Sequence, residues 1–144
     1  MLPNAKICLY PRDPAEAVRV LAEHGKRALI VAGGTTAAMS KSPDVDTLVD
    51  ITRLGLDRVE EDAGFWTLGC NVRMQQLAEH GGLAGLFDGM LCEAARSVGS
   101  QAIRHAVTLG GNLVQLYRWS DSPVALLALG AEIELTGPDG ARWV

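Results

Sequence analysis

Residues 27–36 read Arg27-Ala28-Leu29-Ile30-Val31-Ala32-Gly33-Gly34-Thr35-Thr36, an apolar run that ends in a glycine pair and two threonines. The run predicts a buried strand. Upstream, Asp13-Pro14-Ala15-Glu16 predicts a helix start with an N-cap, a proline at the first helical position and a carboxylate at the third. Lys6–Tyr10 predicts a preceding strand, and Gly25 predicts the helix end. In such a strand–helix–strand opening, ligands bind beyond the carboxyl end of a strand, here at Ala32–Thr36.

A second glycine pair lies in Thr108-Leu109-Gly110-Gly111-Asn112. Glycine lacks a Cβ atom, so a ligand can approach the main chain closely, and consecutive amides in a tight turn form an anion-binding nest. One glycine pair alone is weak support for a ligand site, because many such turns only reverse the chain. The nearest cations are Lys41 and Arg104, outside both segments, so a diphosphate would depend on amides, hydroxyls and a helix N-terminus. Neither a G-x-G-x-x-G nor a G-x-x-x-x-G-K-S/T pattern is present.

The composition is that of a globular domain with a core of its own. The chain has 144 residues, of which 48% are apolar and 21% are charged. Its net charge of −4 and its isoelectric point near 5.3 provide no basic surface for nucleic acid or for an anionic membrane. The N-terminus lacks the apolar region of a signal peptide, and no apolar run reaches the length of a membrane span. The sequence therefore predicts a cytoplasmic protein without nucleic-acid or membrane partners.

The cysteines and histidines show neither a metal-binding nor a disulfide pattern. Cys8, Cys70 and Cys92 form an odd and widely spaced set, which favours buried, reduced thiols. The histidines also lack the i, i+4 spacing of metal ligands, and they are His24, His80 and His105. The sequence contains no nucleophile–base pair and no paired carboxylates suited to hydrolysis. We therefore expect neither a protein-bound metal nor hydrolytic chemistry.

The remaining periodicities predict further strands and helices of an α+β protein. Thr47–Ile51 predicts a strand, and Arg58–Glu60 with Phe65–Gly69 predicts a hairpin around Asp62-Ala63-Gly64. The first helix is predicted to bury an apolar stripe formed by Ala15, Val18, Leu21 and Ala22. Other helices are predicted at Met74–Ala78, Leu91–Val98 and Pro123–Leu129, and other strands at Glu132–Thr136 and Ala141–Val144.

The last two predicted strands flank Gly137-Pro138-Asp139-Gly140, a strong turn signal. The sequence thus stops inside a hairpin. We expect the chain to be incomplete as a functional unit, with a sheet edge at Ala141–Val144 that favours self-association.

Several short motifs follow one another in a fixed order along nearly the whole chain. They are Ala32–Thr35, Leu48–Ile51, Leu68-Gly69, Val98–Arg104, Thr108–Asn112, Ser120-Asp121 and Ala125–Ala131. This series resembles the FAD-binding domain of the molybdopterin dehydrogenase family, which includes the flavin subunits or domains of xanthine and carbon monoxide dehydrogenases. The order of the series is far more specific than either glycine pair.

The resemblance implies a two-lobed α+β fold of the p-cresol methylhydroxylase type, with FAD between the lobes. Residues 1–53 would form a small βαβ lobe, and residues 54–144 would form a larger lobe with a mixed or antiparallel sheet, truncated at its C-terminus. The residues implied to bind the FAD diphosphate are Ala32, Gly33, Gly34, Thr35 and Thr36 in the first segment and Thr108, Gly110, Gly111 and Asn112 in the second. Asp121 stands where the family has an acidic residue near the cofactor.

The resemblance also implies electron transfer. In that family, electrons from substrate oxidation at a molybdenum centre pass through iron–sulfur clusters to FAD, and then to NAD, oxygen or another acceptor. The hydroxylation belongs to partners, namely a molybdopterin-binding large subunit and a 2Fe-2S small subunit. The chain would then be the flavin component of an oxidoreductase, inactive alone. The alternative is a degenerate relative that keeps the fold as a scaffold or interaction module without FAD.

Two departures from the family pattern adjoin the second segment. Val107 stands where the family has a glycine or alanine, and a β-branched residue there narrows both the backbone choice and the ligand clearance. We expect Val107→Gly to strengthen FAD binding and Gly111→Val to weaken it. The family has small residues after Gly-Gly-Asn, whereas Gln115–Trp119 is bulky. This segment either stacks on the flavin, obstructs it, or packs against the lobe or a partner.

Overall fold

The computed structural model describes residues 2–144. These residues form two compact units. The first unit comprises the described residues up to Gly55 together with Glu132–Val144, and the second comprises Leu56–Ala131. The boundary after Gly55 lies close to the lobe boundary expected after residue 53. The last 13 residues, however, group with the first unit, which differs from the expectation that they belong to the second lobe.

A three-stranded parallel sheet organises the first unit. Its strands are β1 (Ile7–Leu9), β2 (Ala28–Val31) and β3 (Thr47–Asp50), in the order β1-β3-β2. Val49 of the central strand pairs with Leu9 on one side and with Ile30 on the other, and its side chain is fully buried. The predicted strand–helix–strand opening is thus confirmed.

Helix α1 (Pro14–His24) connects β1 to β2 and begins as predicted. The Asp13 carboxylate accepts a hydrogen bond from the Glu16 N–H at 2.7 Å, and Gly25 ends the helix with a φ of 55°. The predicted apolar stripe is wrong at Ala15 and Ala22, which are exposed. Its other members, Val18 and Leu21, are half-buried, and Ala17 is the buried residue of this helix. The spacing of apolar residues places them on one side of a helix, but it does not determine how far neighbouring elements cover each of them.

A short helix and a hairpin complete the first unit. Helix α2 (Thr35–Met39) begins directly after the first glycine pair. Strands β6 (Glu134–Gly137) and β7 (Gly140–Trp143) form the predicted antiparallel hairpin, and the backbones of Ile133 and Val144 extend its pairing. The turn of this hairpin and the outer side of α1 line a groove of about 390 Å³.

The second unit begins with the other predicted hairpin, formed by β4 (Val59–Asp62) and β5 (Phe65–Leu68). The two residues of its turn, Ala63 and Gly64, both have positive φ values, of 48° and 84°. A two-residue turn of this kind matches the right-handed twist of the paired strands.

Helices form the rest of the second unit, and they are α3 (Met74–Glu79), α4 (Gly81–Ala84), α5 (Met90–Arg96), α6 (Gln101–Arg104), α7 (Leu109–Gln115) and α8 (Asp121–Ala128). Short 3₁₀ turns occur at Gly25–Arg27 in the first unit and at Phe87–Gly89 here. The core of the second unit contains Met74, Leu77, Cys92 and Ala95, all without measurable exposure. The helices α3, α5 and α8 match predicted segments, whereas α4, α6 and α7 were not predicted. The mixture of helices and sheets confirms the α+β class.

Candidate functional site

The first glycine segment lies at the carboxyl end of β2, as the sequence predicts. Gly34 has a φ of 74°, and a Cβ atom placed on it would meet no other atom within 4 Å. Among residues 2–144, no group accepts a hydrogen bond from the backbone N–H or the side-chain hydroxyl of Thr35 or Thr36. An open glycine therefore stands beside hydrogen-bond donors that the rest of the described chain leaves available.

The second glycine segment differs from the predicted tight turn. Thr108 is the N-cap of α7, and its hydroxyl accepts a hydrogen bond from the Gly111 N–H at 3.2 Å. The N–H groups of Leu109 and Gly110 donate to the carbonyls of Val72 and Cys70, each at 2.8 Å. The Asn112 N–H donates to the Thr108 carbonyl at 2.9 Å. These amides already have partners within the protein, so the segment does not form an anion-binding nest.

Close packing explains the glycine at position 110. A Cβ atom there would lie 2.8 Å from Cys70 Cβ and 3.0 Å from the Cys70 carbonyl oxygen. At Gly111, a Cβ atom would lie 2.8 Å from the Thr108 hydroxyl oxygen that caps the helix. Neighbouring atoms of the protein therefore leave no room for a side chain at position 110 or 111. No feature of the sequence signals the contact between Gly110 and Cys70.

Side chains carry the remaining polar character of the second segment. The Ser120 hydroxyl donates to Asn112 Oδ1 at 2.7 Å, and both residues are buried. This bond fastens α7 to the start of α8, where the exposed carboxylate of Asp121 stands. Asp121 lies at a groove of about 470 Å³ that also involves Met90 and Val124. The structure thus brings Asn112 and the start of α8 together.

The bulky segment expected after the second glycine pair forms a stacked aromatic pair. The rings of Tyr117 and Trp119 are 5.0 Å apart between centroids, with an interplanar angle of 11°. Leu116 ends α7 in the left-handed conformation, with a φ of 47°. Trp119 is 78% exposed, so its indole ring is largely free of protein contacts.

Val107 packs against the core of the second unit. Its carbonyl accepts a hydrogen bond from the Met74 N–H at 3.0 Å, and Arg73 pairs with Thr108 in an antiparallel bridge. The valine thus belongs to a segment that is held along Arg73 and Met74. The expectation that its side chain narrows the ligand clearance of the loop receives no support from this packing.

Arg104, the cation nearest the second segment in sequence, fastens the loop that precedes it. Its guanidinium donates to the carbonyls of Arg96 and Gly99, each at 3.1 Å, and to the Oε1 atom of buried Gln75 at 2.8 Å. The guanidinium of Arg104 therefore has a structural role. Its hydrogen bonds to the preceding loop account for the arginine at the end of the motif Val98–Arg104.

The three cysteine thiols differ in their exposure. Cys92 is buried and Cys70 is half-buried, and burial raises the pKa of both thiols above the ordinary range. Cys8 is exposed, so the expectation of three buried thiols is wrong at this position.

Across residues 2–144, no cluster of three or more His, Cys, Asp or Glu side chains could hold a metal ion. In the same range, none of the helices is long and apolar enough to cross a membrane.

Comparison with known proteins identifies relatives along the whole chain. The family described as "FAD binding domain in molybdopterin dehydrogenase" matches residues 4–144. The chain is 30% identical to the carbon monoxide dehydrogenase medium chain of Afipia carboxidovorans, over 100% of this chain and 51% of that protein. It is also 30% identical to the xanthine dehydrogenase FAD-binding subunit of Escherichia coli O157:H7, over 90% of this chain and 46% of that protein.

Solved structures give the same result for the fold. The carbon monoxide dehydrogenase of Hydrogenophaga pseudoflava superposes with a TM-score of 0.89 at 27% identity, over 100% of this chain and 51% of the other. Quinoline 2-oxidoreductase of Pseudomonas putida 86 superposes with a TM-score of 0.87 at 26% identity and the same coverage. The chain spans about half the length of the relatives it matches. On the match over residues 4–144, it belongs to the family of FAD-binding domains in molybdopterin dehydrogenases.

Proposed function

We propose that the chain is the FAD-binding, electron-transferring part of a molybdenum hydroxylase. The observation that carries this proposal is the first glycine segment. No atom lies within 4 Å of the position that a Cβ atom on Gly34 would occupy. Within residues 2–144, the N–H and hydroxyl groups of Thr35 and Thr36 are available as hydrogen-bond donors. These groups fit the diphosphate of a dinucleotide cofactor, because phosphate oxygens accept hydrogen bonds from amides and hydroxyls.

The two segments contribute in different ways. In the first, Ala32, Gly33 and Gly34 present backbone, while Thr35 and Thr36 donate hydrogen bonds. In the second, the glycines and Thr108 shape the start of α7, since their amide and hydroxyl groups are engaged within the protein. Asp121, whose side chain is exposed, is then the residue of this segment that contacts FAD, and buried Asn112 fastens α7 to Ser120 beside it. The complete set of residues proposed for the FAD site, whether they contact the cofactor or shape the site, is Ala32, Gly33, Gly34, Thr35, Thr36, Thr108, Gly110, Gly111, Asn112 and Asp121.

The redox chemistry is supplied by FAD, which accepts and passes on electrons when bound. The protein's own residues bind and orient the cofactor. We propose that electrons arrive from a 2Fe-2S small subunit and originate at a molybdopterin-binding large subunit, with the assembly in the cytoplasm. Support comes from the relatives, one of which is the medium chain of a carbon monoxide dehydrogenase.

A second candidate function is a scaffold or interaction module without FAD. The internal pairing of the amides at Leu109–Asn112 favours it, because these groups cannot donate to a phosphate while they remain paired. The bulky aromatic segment that follows is a further departure from the family pattern.

Titration of the purified chain with FAD, NAD and ATP tests both candidates. We expect FAD to bind in preference to the other two, with the change followed by calorimetry and by flavin absorbance. Tight binding of NAD or ATP without any response to FAD would refute the proposal. Absence of binding to all three would favour the scaffold.

A pair of glycine variants tests the first segment. Gly34→Ala and Gly55→Ala both place a side chain at a positive φ, of 74° and 69°, and both positions are open within 4 Å. We expect similar losses of stability in thermal unfolding. FAD affinity should fall in Gly34→Ala alone, since only that Cβ would lie where the cofactor approaches. Equal FAD affinity in the two variants would remove Gly34 from the site.

A further inference from the structure

The aromatic pair between α7 and α8 presents an uncovered planar surface. Tyr117 covers part of the Trp119 ring at a centroid distance of 5.0 Å, and the indole is still 78% exposed. Two neighbours, Val114 and Leu116, are also exposed. Contiguous exposed apolar surface is typical of sites that contact a ligand or another protein.

This surface is attached to the second glycine segment by a defined bond. Ser120 directly follows Trp119, and its hydroxyl donates to Asn112 Oδ1 at 2.7 Å in a buried contact. On its other side, Ser120 is followed by Asp121. Trp119 therefore directly precedes an anchored serine and lies two positions before Asp121, whose side chain is proposed to contact FAD.

The electronic character of the rings selects the occupant. The indole ring of Trp119 is electron-rich, and the phenol ring of Tyr117, which is stacked on one of its faces, is electron-rich as well. The isoalloxazine ring of FAD is planar and electron-poor, whereas adenine is electron-rich like the indole. Offset, parallel stacking is one of the preferred arrangements of aromatic rings, and Tyr117 already lies on Trp119 in a nearly parallel orientation. Because the segment is bulky where the family has small residues, the contact would be a feature of this chain.

We propose that Trp119 stacks on the isoalloxazine ring of bound FAD. This inference rests on the proposed function. It assigns the aromatic segment a role in cofactor binding, and it makes Trp119 a determinant of flavin affinity in addition to the glycine segments.

Flavin fluorescence and FAD affinity of Trp119 variants test the proposal. In the wild-type chain, binding should quench flavin fluorescence strongly. Trp119→Ala should weaken FAD binding about tenfold, in keeping with the loss of one stacked aromatic ring, and should relieve the quenching. Trp119→Phe should restore most of the affinity. Trp143→Ala is the matched control, because Trp143 is also exposed, at 63%, but lies in the C-terminal hairpin.

Riboflavin and ADP separate the two rings of the cofactor. Trp119→Ala should weaken binding of riboflavin and leave binding of ADP unchanged. Weaker ADP binding with unchanged riboflavin binding would place the indole on adenine and overturn the proposal.

Two outcomes distinguish this inference from the proposed function. If Trp119→Ala binds FAD with unchanged or higher affinity and unchanged fluorescence, the stacking proposal fails while FAD binding stands. If the wild-type chain shows no response to FAD, both fail together. Far-ultraviolet circular dichroism of each variant confirms that the fold is retained, as expected for an exposed side chain.

Discussion

Val107 shows how one residue can have a structural role in a place where the sequence suggested a ligand effect. Its side chain packs on the core of the second unit, and its carbonyl accepts from the Met74 N–H. We therefore expect Val107→Ala to lower the free energy of unfolding by about 1 kcal/mol, through lost packing. Val107→Gly should cost about 0.5–1 kcal/mol more, because glycine adds backbone freedom to the unfolded chain.

Neither substitution at Val107 should strengthen FAD binding, in contrast to the expectation from sequence. Urea unfolding gives the stability difference, and flavin titration gives the affinity. A gain in affinity for Val107→Gly at unchanged stability would restore the original interpretation of this residue.

Gly110 provides a second prediction at the level of single residues. Gly110→Ala should destabilise the chain by about 1–3 kcal/mol, because the new Cβ would lie 2.8 Å from Cys70 Cβ and the segments must separate. Gly81→Ala is the control, since a Cβ there meets nothing within 4 Å and φ is not in the left-handed region. Thermal unfolding should show a lower midpoint for Gly110→Ala and an unchanged or higher one for Gly81→Ala. Equal midpoints would contradict the packing role of Gly110.

Among the helices, those with local signals could be predicted from sequence and those without could not. The signals for the start of α1 lie within the four residues Asp13–Glu16, and the predicted start was confirmed. Helix α7 was missed because Gly110 and Gly111 have low helix propensity, and the contact with Cys70 that stabilises it is distant in sequence. The prediction of the buried side of α1 was also wrong at Ala15 and Ala22, because burial depends on how neighbouring elements pack on the helix.

The N-terminus of α1 allows a prediction about pH. The Arg12 backbone N–H donates to Glu16 Oε2 at 2.8 Å, and with the Arg12 guanidinium it lowers the pKa of Glu16. A lowered pKa in the folded state stabilises the protein above the ordinary pKa of the carboxyl group, and this contribution is lost as the pH falls through the lowered value. Glu16→Gln should therefore be less stable than wild type at neutral pH and equally stable in acid.

Glu23→Gln is the control for this pH dependence. Glu23 lies on the same helix, and within residues 2–144 it forms no ion pair. Urea unfolding of both variants across the acid range gives the comparison. A difference between Glu16→Gln and wild type that stays constant with pH would contradict the role assigned to the Glu16 carboxylate.

For the molecule as a whole, the parallel sheet and both hairpins could be predicted, but the membership of the last hairpin could not. The sequence places Glu134–Gly137 and Gly140–Trp143 after the helices of the second unit, yet they group with the first. Such a grouping depends on contacts between segments more than 100 residues apart, as between α1 and the turn at Gly137. Local patterns contain no information about it.

The two units should therefore respond separately to a change in this hairpin. Gly140 has a φ of 103°, so Gly140→Val strains the turn. Hydrogen exchange, read by mass spectrometry, should become faster in β6, β7 and α1 and should stay unchanged in α3 and α5 of the second unit. An equal increase in α5 would show that the units unfold together.

The discontinuous first unit also has a consequence for biosynthesis. A ribosome synthesises all of Leu56–Ala131 before it adds Glu132–Val144, a segment that groups with the first unit. The first unit therefore receives part of its residues only after all of Leu56–Ala131 has been made. The hairpin of β6 and β7 can pack on α1 only after Leu56–Ala131 has been synthesised, so the helical second unit can reach its native packing on the nascent chain before that contact forms.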